Sequence, residues 1–215
     1  MTSAPDVATP QRDWIEILAA VLLALAAVAT AWSSYQATRW NGEQAKAASR
    51  ANALRIEATQ AATLAGTQTE VDVATFIQWV DANATGNDEL ASFYVDRFRP
   101  EFRPAFDAWL ATDPLSSPDA PPTPFAMDEY HLEAATEAER MNVEAEEFSA
   151  AVRRDVQRAG NYVLGVVLFA VALFFAGMST RLGGRGVRIA MLAVGCLVFA
   201  GTLTWIATFP VTVSV

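Results

Sequence analysis

The single histidine is the first residue to consider for chemistry, because acids surround it. His131 stands in the stretch DEYHLEAATEAE, beside Asp128, Glu129 and Glu133. Imidazole and carboxylates can bind a metal ion together, but one histidine at the start of a helix rarely completes a metal site. We therefore predict that His131 is a surface residue and that the chain has no metal site.

Other catalytic patterns are equally weak. Glu146 and Glu147 are adjacent, and neighbours in sequence point to different faces of a helix, so they do not form an acid–base pair. The stretch RLGGRGVR has glycines and arginines but lacks the lysine and the strand-to-helix context of a phosphate loop. No nucleophile elbow occurs, and the only cysteine, Cys196, has no intrachain partner. These patterns predict a protein that is not an enzyme and has no cofactor.

One acid inside an apolar run is the strongest candidate for a functional residue. Glu16 lies two residues after Trp14, at the start of the first long apolar stretch. Acids within a membrane are costly and often mark ion or proton paths. At the depth of the membrane interface, however, Glu16 can instead pair with the basic loop Arg181, Arg185 and Arg188. We predict that Glu16 forms a structural ion pair with Arg181, Arg185 or Arg188, and proton or ion handling is the alternative.

Three apolar runs are long enough to cross a bilayer, which takes about 20 helical residues. They begin at WIEILAAVLL, YVLGVVLFAV and IAMLAVGCLV, and aromatic or basic residues flank their ends. A cleaved signal peptide is the weaker alternative for the first run, because the helical pattern continues past its small-residue sites. The predicted segments are an N-terminal tail 1–13, transmembrane helices 14–36, 161–180 and 189–209, a basic turn 181–188 and a C-terminal tail 210–215.

The region between the first two spans carries nearly all the acidity. Residues 37–160 hold 11 Lys and Arg against 21 Asp and Glu. An acidic surface argues against nucleic acid as a partner, because phosphate binding needs clustered basic residues. Proline is absent from residues 11–99 and 126–209, so long helices are permitted. We predict an all-α fold in which this α-helical soluble region is inserted between the spans.

Two matching seams of apolar and small residues predict a stalk of two helices in this region. The steps alternate between four and three, which places each seam on one face of a helix. The first seam is Ala47, Ala51, Leu54, Ala58, Ala61 and Ala65, and the second is Ala134, Ala138, Met141, Ala145, Phe148 and Val152. The predicted antiparallel stalk helices cover about 37–66 and 127–160.

A helical head, at about 67–112, is predicted between the stalk helices from its aromatic density. Gly86 and Asn87 should end one helix and cap the next. Pro100 and Pro104 both suit the first turn of a further helix, which should restart there at a bend. The proline-rich run 113–125 is predicted to be an extended connector.

Three stretches resemble a family of bacterial integral membrane proteins that has no established activity. They are AWSSYQATRWNGEQA, FYVDRFRPEFRPAFDAWLATDPL and PDAPPTPFAM. The resemblance extends from the first span into the second. It implies a multi-pass protein of the bacterial inner membrane and nothing about catalysis.

The two indicators of orientation disagree. Short basic loops tend to stay cytoplasmic, so Arg181, Arg185 and Arg188 favour an extracytoplasmic acidic region. The basic residues near the membrane ends of that region favour the opposite orientation. We expect the acidic region outside, because long segments cross the membrane largely regardless of charge.

These observations favour a membrane-anchored, non-enzymatic interaction or scaffold protein. The alternative is a subunit of an oligomeric channel or transporter-like assembly. A stripe of small residues suited to close helix packing supports further copies of the chain as partners: Ala20, Ala24, Ala27, Ala31 and Ser34. The lipid bilayer and an unidentified protein are the other candidate partners. A sensor would need an output domain that the sequence does not show.

Overall fold

The protein is all-α, as the sequence predicts. A computed structural model describes residues 14–114 and 116–212, and no strand occurs in these ranges. The helices are α1 Trp14–Ala84, α2 Asp88–Val95, α3 Arg103–Leu110, α4 Glu133–Arg181 and α5 Arg185–Ile206, with a short 3₁₀ helix at Pro124–Ala126. The predicted tail 1–13 and the last three residues of the tail 210–215 lie outside the described residues.

Three helices are long and apolar enough to cross a membrane by length and composition: α1, α4 and α5. They match the three apolar runs of the sequence. The turn between the last two is shorter than the predicted 181–188, because α5 already begins at Arg185. Gly184 takes a φ of 91° there, a conformation that glycine adopts without strain, and this allows the tight reversal.

The chain divides into two compact units. The first, here called the membrane unit, comprises residues 1–48 and 150–215, and the second, the acidic unit, comprises Ser49–Ser149. Small residues bring the helices of the membrane unit close together. A Cβ added at Gly195 would lie 3.3 Å from the carbonyl oxygen of Ala172 and from a methyl group of Leu22. Glycine at this position therefore lets α5 pack closely on both α1 and α4.

Within the acidic unit, α4 runs back along α1 in the antiparallel sense. Tyr130, just before α4, bonds to Thr69 and Asp72 of α1. Farther along α4, Ser149 Oγ accepts a hydrogen bond of 2.7 Å from Arg55. The buried members of the two predicted seams in this unit are Ala51, Leu54, Ala58, Ala65, Ala138 and Ala145.

The acidic unit also has a core of aromatic rings. Phe76 is central to it, with ring centroids 5.4 Å from Trp109 and 5.8 Å from Phe125. The turns around this core follow the sequence signals. Helix α1 ends at Ala84, Gly86 has a φ of 72°, and the Asn87 side chain caps α2 by accepting a bond from the Leu90 amide. Pro104 lies in the first turn of α3, as predicted, whereas Pro100 lies in the turn before that helix.

Candidate functional site

Of the residues predicted to form an ion pair, Glu16 and Arg188 lie close together. Glu16 lies in the first turn of α1, and its carboxylate is 3.6 Å from the Arg188 guanidinium of α5. The Nε of Arg188 also donates to the carbonyl oxygen of Ser179 in α4, at 3.1 Å. Arg188, on α5, therefore contacts both α1 and α4. Because the Glu16 side chain is 56% exposed, its attraction to Arg188 is weaker than that of a buried pair.

The other two arginines of the prediction lie farther from Glu16. Arg181 is the last residue of α4, and Arg185 is the first of α5. Among the described residues, neither lies within ion-pairing distance of a carboxylate. Of the three candidate arginines, Arg188 is therefore the one that lies beside Glu16.

The residues around His131 do not converge on a metal position. The Nε2 of His131 lies 2.9 Å from the Thr136 hydroxyl. Within residues 14–114 and 116–212, no group of three or more His, Cys, Asp or Glu side chains is arranged to hold a metal ion. Glu146 is an exposed residue 3.8 Å from Arg55. The contact between Glu146 and Arg55 is therefore an ordinary surface ion pair.

A buried charge network that the sequence analysis did not predict lies in the acidic unit. The Asp72 side chain is only 1% exposed, and its Oδ2 accepts a hydrogen bond of 2.8 Å from Arg99. Tyr130 donates its hydroxyl proton to the same oxygen. Arg99 also contacts Glu101, and the other oxygen of Glu101 accepts the backbone N–H of Glu133 at 3.1 Å. The network thus connects α1 to the first residue of α4.

Burial dominates the electrostatics of Asp72. Loss of water raises the pKa of this carboxyl, although the positive charge of Arg99 and the hydrogen bond from Tyr130 oppose the change. Its second oxygen, Oδ1, is buried with no hydrogen-bond partner in the described part of the chain. Burial likewise raises the pKa of Tyr130. Asp72, Arg99 and Tyr130 are thus connected to one another by hydrogen bonds.

A second contact that the sequence analysis did not predict joins the segment after α5 to the other helices of the membrane unit. Gln36 is fully buried in α1, and its side-chain oxygen accepts the backbone N–H of Thr212 at 3.1 Å. Nearby, the Tyr162 hydroxyl donates to the Pro210 carbonyl oxygen at 3.2 Å. The segment after α5 is therefore bound to both α1 and α4. No local pattern indicates these bonds, since Gln36 and Thr212 are 176 positions apart.

Helix α2 exposes an apolar pair at its surface. Leu90 and Phe93 are three positions apart, so they share one face of the helix. They are 38% and 46% exposed and border a shallow groove of about 270 Å³ with Asn87 and Glu89. The Arg97 guanidinium carbon lies 3.4 Å from the centre of the Phe93 ring. This cation–π contact fixes one side of the ring and leaves the rest accessible.

No family model matches this chain, and no curated protein or solved structure is similar to it. The resemblance carried by AWSSYQATRWNGEQA and the two later stretches therefore remains a prediction.

Proposed function

We propose that the chain is a non-enzymatic interaction protein, anchored in the bacterial inner membrane by three helices, whose acidic region binds a partner protein outside the cytoplasm. The proposal combines three apolar helices with an acidic unit that has its own aromatic core. A rigid core of this kind can present a binding surface in a fixed geometry. The described residues contain no convergent metal ligands, so the proposal invokes no metal chemistry.

The observation that carries the proposal is the exposed pair Leu90 and Phe93. Large apolar side chains in protein interfaces form the central contacts, and a polar rim surrounds them. On α2 the two side chains lie beside Asp88 and Glu89, and Asp96 follows the last turn. A partner with an apolar centre and basic edges would match both features. We define this surface, residues 87–97, as the α2 patch.

Site-specific photo-crosslinking in native membranes tests the proposed partner. A photoreactive amino acid replaces Phe93 of the α2 patch, and a control replaces Val143, an exposed apolar residue of α4. We expect a discrete crosslinked product from position 93 that is absent from position 143. Leu90→Glu should remove that product, because it places a charge at the apolar centre. Identical product patterns from the two positions would contradict the proposal.

A specific observation also favours the alternative, a subunit of an oligomeric channel or transporter-like assembly. The predicted small-residue stripe of the first span is exposed along its whole length in the single chain: Ala20, Ala24, Ala27, Ala31 and Ser34. Small residues allow close helix approach within a bilayer, so this face could pack against another copy. Mass measurement in nanodiscs, with Ala24→Leu as the disrupting variant, tests the assembly. An oligomer that conducts ions in reconstituted vesicles would replace the scaffold proposal.

A further inference from the structure

The turn between α4 and α5 carries a basic surface at one end of the membrane unit. Residues 181–188 contain three arginines and no acid. Arg181 ends α4 and Arg185 begins α5, so these two residues lie on either side of the turn. The Nε of Arg188 donates to the Ser179 carbonyl oxygen, which joins the two helix ends. We call Arg181 and Arg185, with the residues between them, the basic turn.

The guanidinium groups of Arg181 and Arg185 have no acceptor within the described part of the chain. Both residues are exposed, and neither pairs with a carboxylate or donates a side-chain hydrogen bond there. Arg188 differs from them, because it contacts both Glu16 and Ser179. Each guanidinium has five N–H donors and a permanent positive charge. The basic turn therefore presents two charged groups of donors at the surface of the membrane unit.

Helix α5 increases the positive charge at this turn. The N-terminus of a helix carries a partial positive charge, which acidic groups stabilise and basic groups do not. The first turn of α5 contains Arg185 and Arg188 and no acid, and Gly184 supplies no side-chain cap. Two positive side chains thus lie at the positive end of the helix. An external anion beside Arg185 would reduce this repulsion.

The depth of the basic turn indicates which anion can reach it. Helix α5 has 22 residues and is about 33 Å long, whereas the hydrocarbon core of a bilayer is about 30 Å thick. Arg185, the first residue of α5, therefore lies at one boundary of the core. Trp14 lies at the same end, because Glu16 contacts Arg188, and its half-exposed indole is typical of the membrane interface. The anions that a bilayer supplies at this depth are the phosphodiesters of lipid headgroups.

We propose that the basic turn binds the headgroup phosphate of an anionic glycerophospholipid, with the guanidinium groups of Arg181 and Arg185 donating to its oxygens. The planar guanidinium matches phosphate oxygens in a bidentate manner. An anionic lipid is favoured over a zwitterionic lipid, because the ammonium group of the latter would approach a surface that is already positive. This site uses no residue of the α2 patch and does not depend on the proposed protein partner.

Native mass spectrometry of the full chain in a mild detergent tests the assignment. The probes are phosphatidylglycerol and phosphatidylcholine with identical acyl chains. Each arginine near an anionic lipid surface corresponds to about a fivefold difference in affinity. We expect the wild type to bind phosphatidylglycerol about 25-fold more tightly than phosphatidylcholine. The double variant Arg181→Gln with Arg185→Gln should abolish this preference, and each single variant should retain about a fivefold preference.

Two further variants complete the design. Arg154→Gln is the matched control, because Arg154 is an exposed arginine of α4 outside the basic turn, and it should keep the preference. Arg181→Lys with Arg185→Lys keeps the charge and should restore most of the preference, which separates lost charge from misfolding.

Four results would overturn the proposal. They are equal affinity of the wild type for the two lipids, a preference that survives the double glutamine variant, the same loss in Arg154→Gln, and a double lysine variant that binds like the double glutamine variant. Displacement of phosphatidylglycerol by an equal concentration of inorganic phosphate would assign the basic turn to a soluble anion and overturn the proposal as well.

Discussion

Removing Arg99 should destabilise the acidic unit strongly, because its partner Asp72 is buried. Breaking a buried ion pair on one side costs about 3–5 kcal/mol, since the remaining charge has lost its partner. Arg99 is itself 21% exposed, and Tyr130 continues to donate to the Asp72 carboxylate. We therefore expect Arg99→Gln to lower the free energy of unfolding by about 2–3 kcal/mol at pH 8.

The pH dependence of this loss is a sharper test than its size. Burial already raises the pKa of Asp72 in the folded protein, and Arg99 opposes the shift, so its removal raises the pKa further. A carboxyl whose pKa is higher in the folded state than in the unfolded state reduces stability when it is ionised. This cost is relieved as the pH falls through the folded pKa toward the unfolded value. The decrease in the free energy of unfolding that Arg99→Gln causes should consequently be smaller at pH 5 than at pH 8.

Urea unfolding of the full chain in nanodiscs, followed by tryptophan fluorescence, measures this free energy. Trp79 and Trp109 report on the aromatic core of the acidic unit. Arg140→Gln is the matched control, because Arg140 pairs with Glu137 on the exposed surface of α4 and its loss should be negligible. If Arg99→Gln behaves like this control, or if its effect grows toward pH 5, the argument from burial is refuted.

Three further predictions concern topology, packing and the interfacial acid. The first uses intact cells that express the chain with Cys196 replaced. In these cells, a cysteine that replaces Asp119 should react with a membrane-impermeant thiol reagent, and a cysteine that replaces Gly184 should not. The reverse pattern would place the acidic region inside. Ala58→Leu should lower the free energy of unfolding by about 1–3 kcal/mol, because the larger side chain overpacks a position that is only 1% exposed. An unchanged melting temperature would show that the seam accommodates a larger side chain at this position. Glu16→Gln should lower the melting temperature slightly, and vesicles reconstituted with either the wild type or this variant should show no ion flux. An ion flux through the wild type that Glu16→Gln abolishes would support a channel.

The large elements of the fold were predictable from the sequence because their causes are local. Uninterrupted hydropathy identifies the helices that are long and apolar enough to cross a membrane, and the lack of proline allows α1 to continue to Ala84. Gly86 and Asn87 mark the end of α1 and the start of α2 by well-known backbone preferences. The alternation of small residues identifies the helix faces that are buried in the acidic unit.

The polar contacts were not predictable, because their partners are far apart in sequence. Asp72 resembles any other acid in an acidic region, and only the tertiary fold brings it within 2.8 Å of Arg99. The same holds for Glu101, which caps α4 from outside that helix. Among the four residues of the predicted interfacial ion pair, local charge could not decide which arginine reaches Glu16, since that depends on where α5 begins.

The bond between Gln36 and Thr212 has a consequence for biosynthesis. A ribosome makes Gln36 long before Thr212, so the buried amide has no backbone partner while the second and third spans are being inserted. An amide that is buried without a hydrogen-bond partner is costly, so the first helix should remain incompletely docked until the segment after α5 has left the ribosome. Released chains that are truncated before Pro210 should therefore be more sensitive to membrane proteases than the full chain.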